Sequence, residues 1–500
     1  MWGRAELVHG GENGLRHRGP AVVLLAAAQV LVVFDTTVFT VGLPWIAVRS
    51  QLSFQGLTWL LSVYSVCFAA LPVLAGALGE AFGQRRVLMG GLALSSLAAV
   101  APAVTVDSEV LLAARAVQGV AAAVITAGAL ALIDSTHPEA PGRDRALSVH
   151  FAVVACAGPA MLLPTTMLLD ASVRGETVFW VQAVAGAVLL VLTPVVLTES
   201  APLPGAGARV GRAALGVVPL GFLAWFADWL GDHSVSATTV VVIAVGGALL
   251  PSALGLLGRA ERVPELLARL NRERAAFGGY TVVALLASGL AGALYALTLA
   301  LQVIGGLAVM QVGWALLSAV AGVLLGCLAL PRVAARVGLG AAVAGACGVA
   351  AVGFVLLSRE DAFRFADVLL PLLLVAFGCA VLALPAGFAR SGSGALPQGL
   401  NSSRQLGAGL GVSLFAGIVS VAMQRIPRSS PYGTYYKDYK AFMTGAVRDC
   451  FELGVALCVT GAVVALLVLP RHRFPAPDPD PGLSGGAPAG TAGSPGSSGR

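Results

Sequence analysis

Two charged residues, Asp35 and Arg115, lie inside long apolar stretches of this sequence. A charge in that setting costs about 2.5–3.5 kcal/mol on membrane-insertion scales, so such residues usually have a partner or a function. Burial favours the neutral form of a carboxyl group and a nearby cation favours its ionised form, so a buried acid can exchange a proton. Asp35 is therefore the candidate proton site. The alternative is a structural carboxyl group that bonds to Thr36 or Thr37.

Arg115 lies in the run LLAARAVQGVAAA, three residues before Gln118. A guanidinium group stays protonated, so it needs a carboxylate, a carbonyl or water as a partner. We expect Arg115 to lie at a cavity and to tune a neighbouring acid. The alternative is an arginine that reaches from the outer end of its helix to the membrane surface. Gln118, Gln302 and Arg404 are candidates for the wall of the cavity.

Two further titratable residues are secondary candidates. His150 lies at the start of a predicted span, where a lone histidine is more often structural than a proton relay. Asp228 is flanked by Trp225 and Trp229, a pattern typical of the membrane interface. The sequence has no nucleotide-binding loop, hydrolase motif or metal-ligand spacing of cysteines. It therefore predicts no cofactor, no metal site and no enzymatic activity.

The elements that position these residues are predicted to be membrane helices. Hydrophobic residues make up 57% of the 500 residues, charged residues 11%, and the mean hydropathy is +0.86. A soluble surface cannot be built from such a composition. Apolar runs of about 20 residues predict an all-α membrane protein with fourteen spans. The predicted spans cover residues 21–47, 55–78, 86–104, 109–134, 145–168, 177–198, 213–231, 236–257, 276–303, 308–329, 338–357, 366–388, 404–424 and 449–470.

The spans divide into two six-helix halves and an inserted pair. The predicted regions are an N-terminal tail (1–20), a first half (21–198), a linker with the inserted pair and a basic surface helix (199–275), a second half (276–470) and a disordered tail (471–500). Two similar halves predict a substrate path between them at the middle of the membrane.

The distribution of Lys and Arg predicts the orientation of the chain. With the N-terminus inside, basic residues are more than twice as frequent in the inner tails and loops as in the outer ones. Residues 425–448 are then a long outer loop. Charges in long loops have less influence on the orientation of a membrane protein than charges in short ones. The sequence therefore predicts a protein of the plasma membrane with both termini in the cytosol.

One short segment, GALGEAFGQRRVL, joins the second and third predicted spans. It contains Glu80, Arg85 and Arg86 between two apolar runs, and Gly76 and Gly83 allow a tight turn. Charge concentrated in so short a connection predicts a cytosolic loop that sets orientation and takes part in gating.

Four segments of the chain match motifs of a known family. They are residues 35–38 (DTTV), 76–88, 114–119 (ARAVQG) and 399–407 (GLNSSRQLG). In this order they resemble the fourteen-span drug:proton antiporter branch of the major facilitator superfamily. The resemblance implies alternating access and export of a small amphipathic compound in exchange for protons. It assigns proton coupling to Asp35 and Arg115, and gating to the loop, where Glu80 replaces the usual Asp.

The fifth span departs from the pattern of these antiporters. Gly158 and Pro159 remain from a helix-bending motif whose two later glycines are Leu162 and Leu163 here. The usual Asn of the sixth span is Gln182. An uptake or facilitated transporter, or a membrane sensor with the same fold, therefore stays an alternative. The expected partners are the substrate, protons and lipid, with the protein a monomer.

Overall fold

The structure is a computed structural model of the chain. It describes residues 18–50, 54–137, 140–171, 176–199, 263–383, 396–424 and 432–469, and a few isolated positions between 207 and 217. Nearly all of these residues are helical, and no strand occurs among them. Apart from those isolated positions, the predicted inserted pair, with Asp228, lies outside the described residues, as do both terminal tails (1–17 and 470–500).

Thirteen helices follow one another in the described ranges. Those of the first half are α1 (Arg18–Ser50), α2 (Phe54–Ala70), α3 (Pro72–Phe82), α4 (Gln84–Val104), α5 (Ser108–Thr136), α6 (Ala140–Ala171) and α7 (Thr177–Val196). Those of the second half are α8 (Val263–Leu299), α9 (Val309–Val337), α10 (Leu339–Ser358), α11 (Phe365–Cys379), α12 (Leu396–Gln424) and α13 (Tyr432–Val468). A π-helical turn (Ala300–Ile304) continues α8, and a 3₁₀ turn (Ala380–Ala383) continues α11.

Each predicted span within the described residues coincides with helix. The second span consists of α2 and α3, which are separated at Leu71 because Pro72 begins a new helix. Ten helical stretches of the described residues are long and apolar enough to cross a membrane. The prediction of an all-helical membrane protein is therefore confirmed, and the count of fourteen spans stays a prediction.

Two predicted loop assignments were wrong. The outer loop 425–448 is largely helix, because α13 begins at Tyr432, before the apolar part of its sequence. The basic segment predicted as a separate surface helix is continuous with the next span, since α8 runs from Val263 to Leu299. Between residues 265 and 277 there is no Pro or Gly to break that helix.

The helices pack as two halves that meet along two helix pairs. In the second half α8 lies against α12, α9 against α11, and α10 against α13. In the first half α4 packs on α5 and α7, and α1 packs on α5, α6 and α7. The main contacts between the halves are those of α6 with α9 and of α2 with α12, and the 3₁₀ turn after α11 also touches α6. These two pairs leave room for a cavity between the halves.

The hydrophobic core is continuous between the halves at one end of the bundle. Ile46, Leu111 and Phe179 of the first half belong to the same cluster as the buried residues of the second half. At the other end of the first half, residues such as Leu88 and Leu130 form a separate cluster. The predicted orientation makes the shared end the outer one.

Small residues determine how closely α12 approaches α8. A Cβ atom at Gly407 would lie 2.0 Å from the carbonyl oxygen of Ala284, and one at Gly411 would lie 2.1 Å from that of Ser288. No side chain can be accommodated at such distances without moving the backbone. The spacing of small residues at i and i+4 is the usual device for such close packing of membrane helices.

We expect Gly411→Ala to lower the thermal stability of the protein, because the added methyl group forces α12 away from α8. Overpacking of this kind typically costs about 1–3 kcal/mol. Gly348→Ala on α10 is the matched control, since its Cβ would meet no atom within 4 Å. Thermal unfolding of both variants in the same detergent measures the effect, and equal midpoints would contradict the packing described here.

Candidate functional site

Asp35 and Arg115 form an ion pair inside the first half. Arg115 Nη1 lies 3.0 Å from Asp35 Oδ2, and the two side chains are only 1% and 4% exposed. Gln182 of α7 donates from Nε2 to the other carboxylate oxygen, Oδ1, at 2.7 Å. Three helices, α1, α5 and α7, therefore hold one carboxylate. We call Asp35 and Arg115 the buried ion pair.

The rest of the Arg115 guanidinium is enclosed by the first half. Its Nε donates to the carbonyl oxygen of Leu60 at 3.3 Å, and Nη1 also donates to Gln118 Oε1 at 3.1 Å. The rings of Phe39 and Tyr64 lie 3.9 and 4.0 Å from Cζ, within the range of cation–π contacts. Arg115 thus does not extend to the membrane surface, and that alternative is wrong.

The hydroxyl groups beside Asp35 bond elsewhere. Thr37 donates to the carbonyl oxygen of Phe34 at 2.8 Å, within its own helix. The single hydroxyl hydrogen of Thr36 is shared between the carbonyl oxygen of Val32 and the hydroxyl oxygen of Tyr64, which lie 3.2 and 3.3 Å from Oγ1. The Asp35 carboxylate instead accepts hydrogen bonds from Arg115 and Gln182. It is therefore part of a charged network between helices rather than of a local packing contact.

A cavity of about 190 Å³ lies between the two halves, next to the buried ion pair. Its walls come from α1, α2 and α6 on one side and from α8, α9, the turn after α11, and α12 on the other. Most lining side chains are apolar, and those with hydroxyl, amide or guanidinium groups are Thr36, Thr37, Tyr64, Ser65, Arg404 and Gln405. Pockets for drug-sized ligands usually have about 300–1,000 Å³, so such a ligand requires the halves to move apart.

Tyr64 connects the cavity with the buried ion pair. One face of its ring lies on the Arg115 guanidinium, its hydroxyl receives the hydrogen bond from Thr36, and both residues line the cavity. Asp35 itself, which directly precedes Thr36, is not among the described lining residues. The pair and the cavity are therefore separated by one layer of side chains.

The other candidate cavity residues lie in different places. Arg404 lines the cavity and is 8% exposed. Gln118 contacts Arg115 instead, and Gln302 lies in the π-helical turn, so neither is among the described residues of the cavity wall. Gly158 lines the cavity, and α6 runs as one helix through Gly158 and Pro159.

His150 lies in α6, ten residues after the helix begins at Ala140 and near the start of its apolar span, Arg145–Leu169. Its side chain is 1% exposed, and its ring packs edge-on against that of Phe151 at 5.7 Å. Phe151 also lies beside the guanidinium of Arg404, at 5.8 Å. These contacts place His150 near the Arg404 side of the cavity.

The predicted gating loop is a one-residue turn between two helices. Helix α3 continues to Phe82 and α4 begins at Gln84, so most of the predicted loop is helix, which corrects the prediction. Gly83 has φ = +100°, a conformation that allows the chain to reverse within one residue. Gly76 is buried and Glu80 half-buried in α3.

An acidic residue after α7 binds the arginines of this turn. Glu199 Oε2 lies 3.5 Å from Arg85 Nε and 3.6 Å from Arg86 Nε, and Oε1 accepts the backbone N–H of Arg85 at 3.1 Å. Arg85 also donates to the carbonyl oxygen of Leu197 at 3.1 Å. Gly83, Arg85, Arg86 and Glu199 form what we call the charged junction, which ties the α3–α4 turn to the end of α7.

Gly83→Ala is expected to loosen the charged junction. The positive φ is strained for any residue with a side chain, at about 1–3 kcal/mol, and the added Cβ would lie 2.5 Å from Glu199 Oε1. We therefore expect lower thermal stability and faster tryptic cleavage after Arg85 and Arg86 in membranes that expose this end. Gly90→Ala on the exposed side of α4 is the control, since its Cβ would meet no atom within 4 Å. Equal cleavage rates would contradict this assignment.

Three contributors to these sites were not recognised as such in the sequence. In the sequence Gln182 stands out only as a departure from a motif, although a polar residue in an apolar span is a usable signal. Glu199 falls in the predicted linker after the sixth span. Tyr64 carries no sequence signal that separates it from a packing aromatic.

Two helical halves with a buried ion pair beside a cavity between them are an architecture typical of membrane transporters. The family model for the Major Facilitator Superfamily matches residues 25–428, and the chain belongs to this superfamily. The chain is thus a multi-span membrane transporter that moves a small molecule, and it is not an enzyme. The predictions of family and fold class are confirmed.

Three relatives that are named as export or resistance proteins align with most of the chain. The cephamycin export protein CmcT of Amycolatopsis lactamdurans is 28% identical over 440 residues, which are 85% of this chain and 90% of the relative. The methylenomycin A resistance protein of Bacillus subtilis is 27% identical over 80% of this chain and 87% of the relative. The puromycin resistance protein pur8 of Streptomyces alboniger is 29% identical over 79% of this chain and 80% of the relative.

Solved structures share the fold. Tetrameric PepTSo2 superimposes with a TM-score of 0.62 at 16% sequence identity, covering 90% of this chain and 98% of that one. The human organic anion transporter MFSD10 (TETRAN) gives a TM-score of 0.57 at 16% identity, over 90% and 99% of the two chains. At this level of identity the likeness establishes the fold alone.

Proposed function

We propose that the protein exports a small amphipathic compound from the cytosol in exchange for protons, by alternating access of its two halves. The observation that carries this proposal is the position of the buried ion pair, one side-chain layer from the cavity. The names of the relatives, which are export and resistance proteins, support export rather than uptake.

In this proposal Asp35 is the proton site and Arg115 its counter-charge. Protonation of Asp35 removes the negative charge that Arg115 Nη1 contacts at 3.0 Å. The guanidinium then loses its strongest partner and relies on Leu60, Gln118 and the two aromatic rings. Any shift of Arg115 moves Tyr64, whose ring packs on it at 4.0 Å, and so alters the cavity wall. Proton binding and substrate binding are coupled through this contact.

The charged junction has the gating role in this cycle. It binds the α3–α4 turn to the end of α7, at the end of the first half that the charge distribution predicts to be cytosolic. The opposite end is joined to the second half by the shared hydrophobic cluster. Export requires this cluster to separate while the cytosolic end closes.

The remaining assignments follow the sequence. We propose a monomer of the plasma membrane with both termini in the cytosol, and a first half, an inserted helix pair and a second half as its organisation. The excess of basic residues on the inner loops supports the placement of both termini in the cytosol. The proposed mechanism does not use His150 or Asp228 for proton transfer.

The proposed function is tested by expression in an efflux-deficient host with a panel of antibiotics, with and without a proton uncoupler. We expect lower accumulation of at least one compound, and loss of this difference when the uncoupler is added. Accumulation that rises on expression would identify an uptake protein. Efflux that continues unchanged with the uncoupler would contradict proton coupling.

A further inference from the structure

The cavity between the halves contains one guanidinium group, that of Arg404, among its described residues. We propose that this group binds the anionic part of the transported compound, so that the substrate class is an amphipathic anion such as an aromatic carboxylate. This inference rests on the proposed export function and specifies the substrate class of the same cavity.

Arg404 is placed by the fold to face a ligand. It lies on α12 in the second half, is 8% exposed, and lines the cavity together with Gln405. Its Cζ atom is 5.8 Å from the ring centroid of Phe151, which belongs to α6 of the first half. The guanidinium is therefore positioned at the cavity from one half and supported by an aromatic ring of the other.

The charge of the cavity favours an anion. Among the described lining residues Arg404 is the one with a formal charge at neutral pH, and no Asp or Glu occurs among them. The carboxylate of Asp35 lies behind Thr36 and Tyr64 and is paired with Arg115. Charges interact more strongly beside apolar walls than in water, so a guanidinium group on this lining favours an anion over a cationic drug.

The chemistry of the walls fits both parts of such a molecule. A guanidinium group has five N–H donors in a planar fork, so it can add a carboxylate to the contacts that it already makes. The hydroxyl groups of Thr36 and Ser65 and the amide of Gln405 are further polar groups on the lining. The many Val, Leu and Ala side chains suit the apolar body of an amphipath.

The test measures binding to the purified full chain in detergent, without any proton gradient. Three probes share a naphthyl body: naphthylacetate, its neutral amide and a naphthylmethyl-trimethylammonium ion. Equilibrium dialysis should give naphthylacetate about 10-fold tighter binding than the ammonium probe. Arg404→Gln should weaken binding of naphthylacetate by about 10- to 100-fold and leave the amide nearly unchanged, as expected for loss of a charge-assisted bond.

Two further variants sharpen the comparison. Arg404→Lys retains the charge but not the planar fork, so its affinity for naphthylacetate should lie between those of the unmodified protein and Arg404→Gln. Arg364→Gln removes a charge from an exposed position at the start of α11 and should bind all three probes as the unmodified protein does. If Arg404→Gln does not fold, the probe ranking of the unmodified protein and the Lys variant decide the question.

Equal or tighter binding of the ammonium probe, or unchanged naphthylacetate binding in Arg404→Gln, would overturn this proposal. Its failure is distinguishable from failure of the export function. If the protein binds naphthylacetate selectively but shows no uncoupler-sensitive efflux, the proposed export function is wrong and the anion site is supported. If it shows uncoupler-sensitive efflux but no preference for the carboxylate probe, the anion site is wrong and the export function is supported.

Discussion

Asp35→Asn is expected to abolish efflux driven by a pH gradient while the protein remains folded in the membrane. An amide is nearly the same size as a carboxyl group. Its oxygen can accept from Arg115, and its N–H can donate to Gln182 once the Gln182 amide turns over, but it cannot exchange a proton. In proteoliposomes with an imposed pH gradient, uptake of substrate into the lumen should fall to the level of protein-free vesicles. Exchange of labelled for unlabelled substrate without a gradient should persist, because Asp35 is not among the described lining residues and exchange needs no net transfer of protons.

Asp367→Asn is the matched control for this experiment. Asp367 is an exposed carboxylate in the first turn of α11, in the half that does not contain the buried ion pair. Its variant should transport at the unmodified rate under the same gradient. Full gradient-driven transport by Asp35→Asn would remove Asp35 from the coupling mechanism. Loss of both activities would indicate that the substitution damages the cavity.

Arg115→Met is expected to lower the stability of the protein strongly. It leaves the Asp35 carboxylate buried without its cation, and breaking a buried ion pair in this way typically costs about 3–5 kcal/mol. The midpoint of thermal unfolding in detergent should therefore fall steeply. Transport driven by a pH gradient should also be lost, since the counter-charge that responds to the proton is gone.

The double variant Asp35→Asn with Arg115→Met separates the ion pair from simple packing. Removing both charges leaves no unpaired ion, so the double variant should recover much of the stability lost in Arg115→Met. The double-mutant cycle with the two single variants gives the coupling between the residues. A double variant no more stable than Arg115→Met would indicate that the effect comes from the lost volume of the arginine.

The two partners of the buried ion pair could be found from the sequence, but their pairing could not. Asp35 and Arg115 stand out because charges are rare in apolar runs. They are 80 residues apart, and Gln182 is 147 residues from Asp35, so their contact depends on how α1 packs against α5 and α7. The family resemblance gave both residues a role without giving the geometry.

The cavity wall was harder to predict than the spans. In helices that are apolar on all sides, the hydrophobic pattern does not indicate which face lies toward a cavity. For this reason the sequence does not distinguish Gln118 and Gln302 from Arg404. Of these three candidates, Arg404 is the one among the described residues of the cavity wall. Hydropathy also misses helix beyond the membrane, which is why the polar start of α13 was predicted as a loop.

The charged groups of the proposed cycle are divided between the halves. Asp35, Arg115 and their contacting side chains all belong to the first half, whereas Arg404 belongs to the second. A chimera that joins the first half of this protein to the second half of a relative should therefore keep its energy coupling and acquire new selectivity. Such an arrangement lets substrate range diverge by exchange or drift in one half, while the machinery that uses the proton gradient is inherited intact.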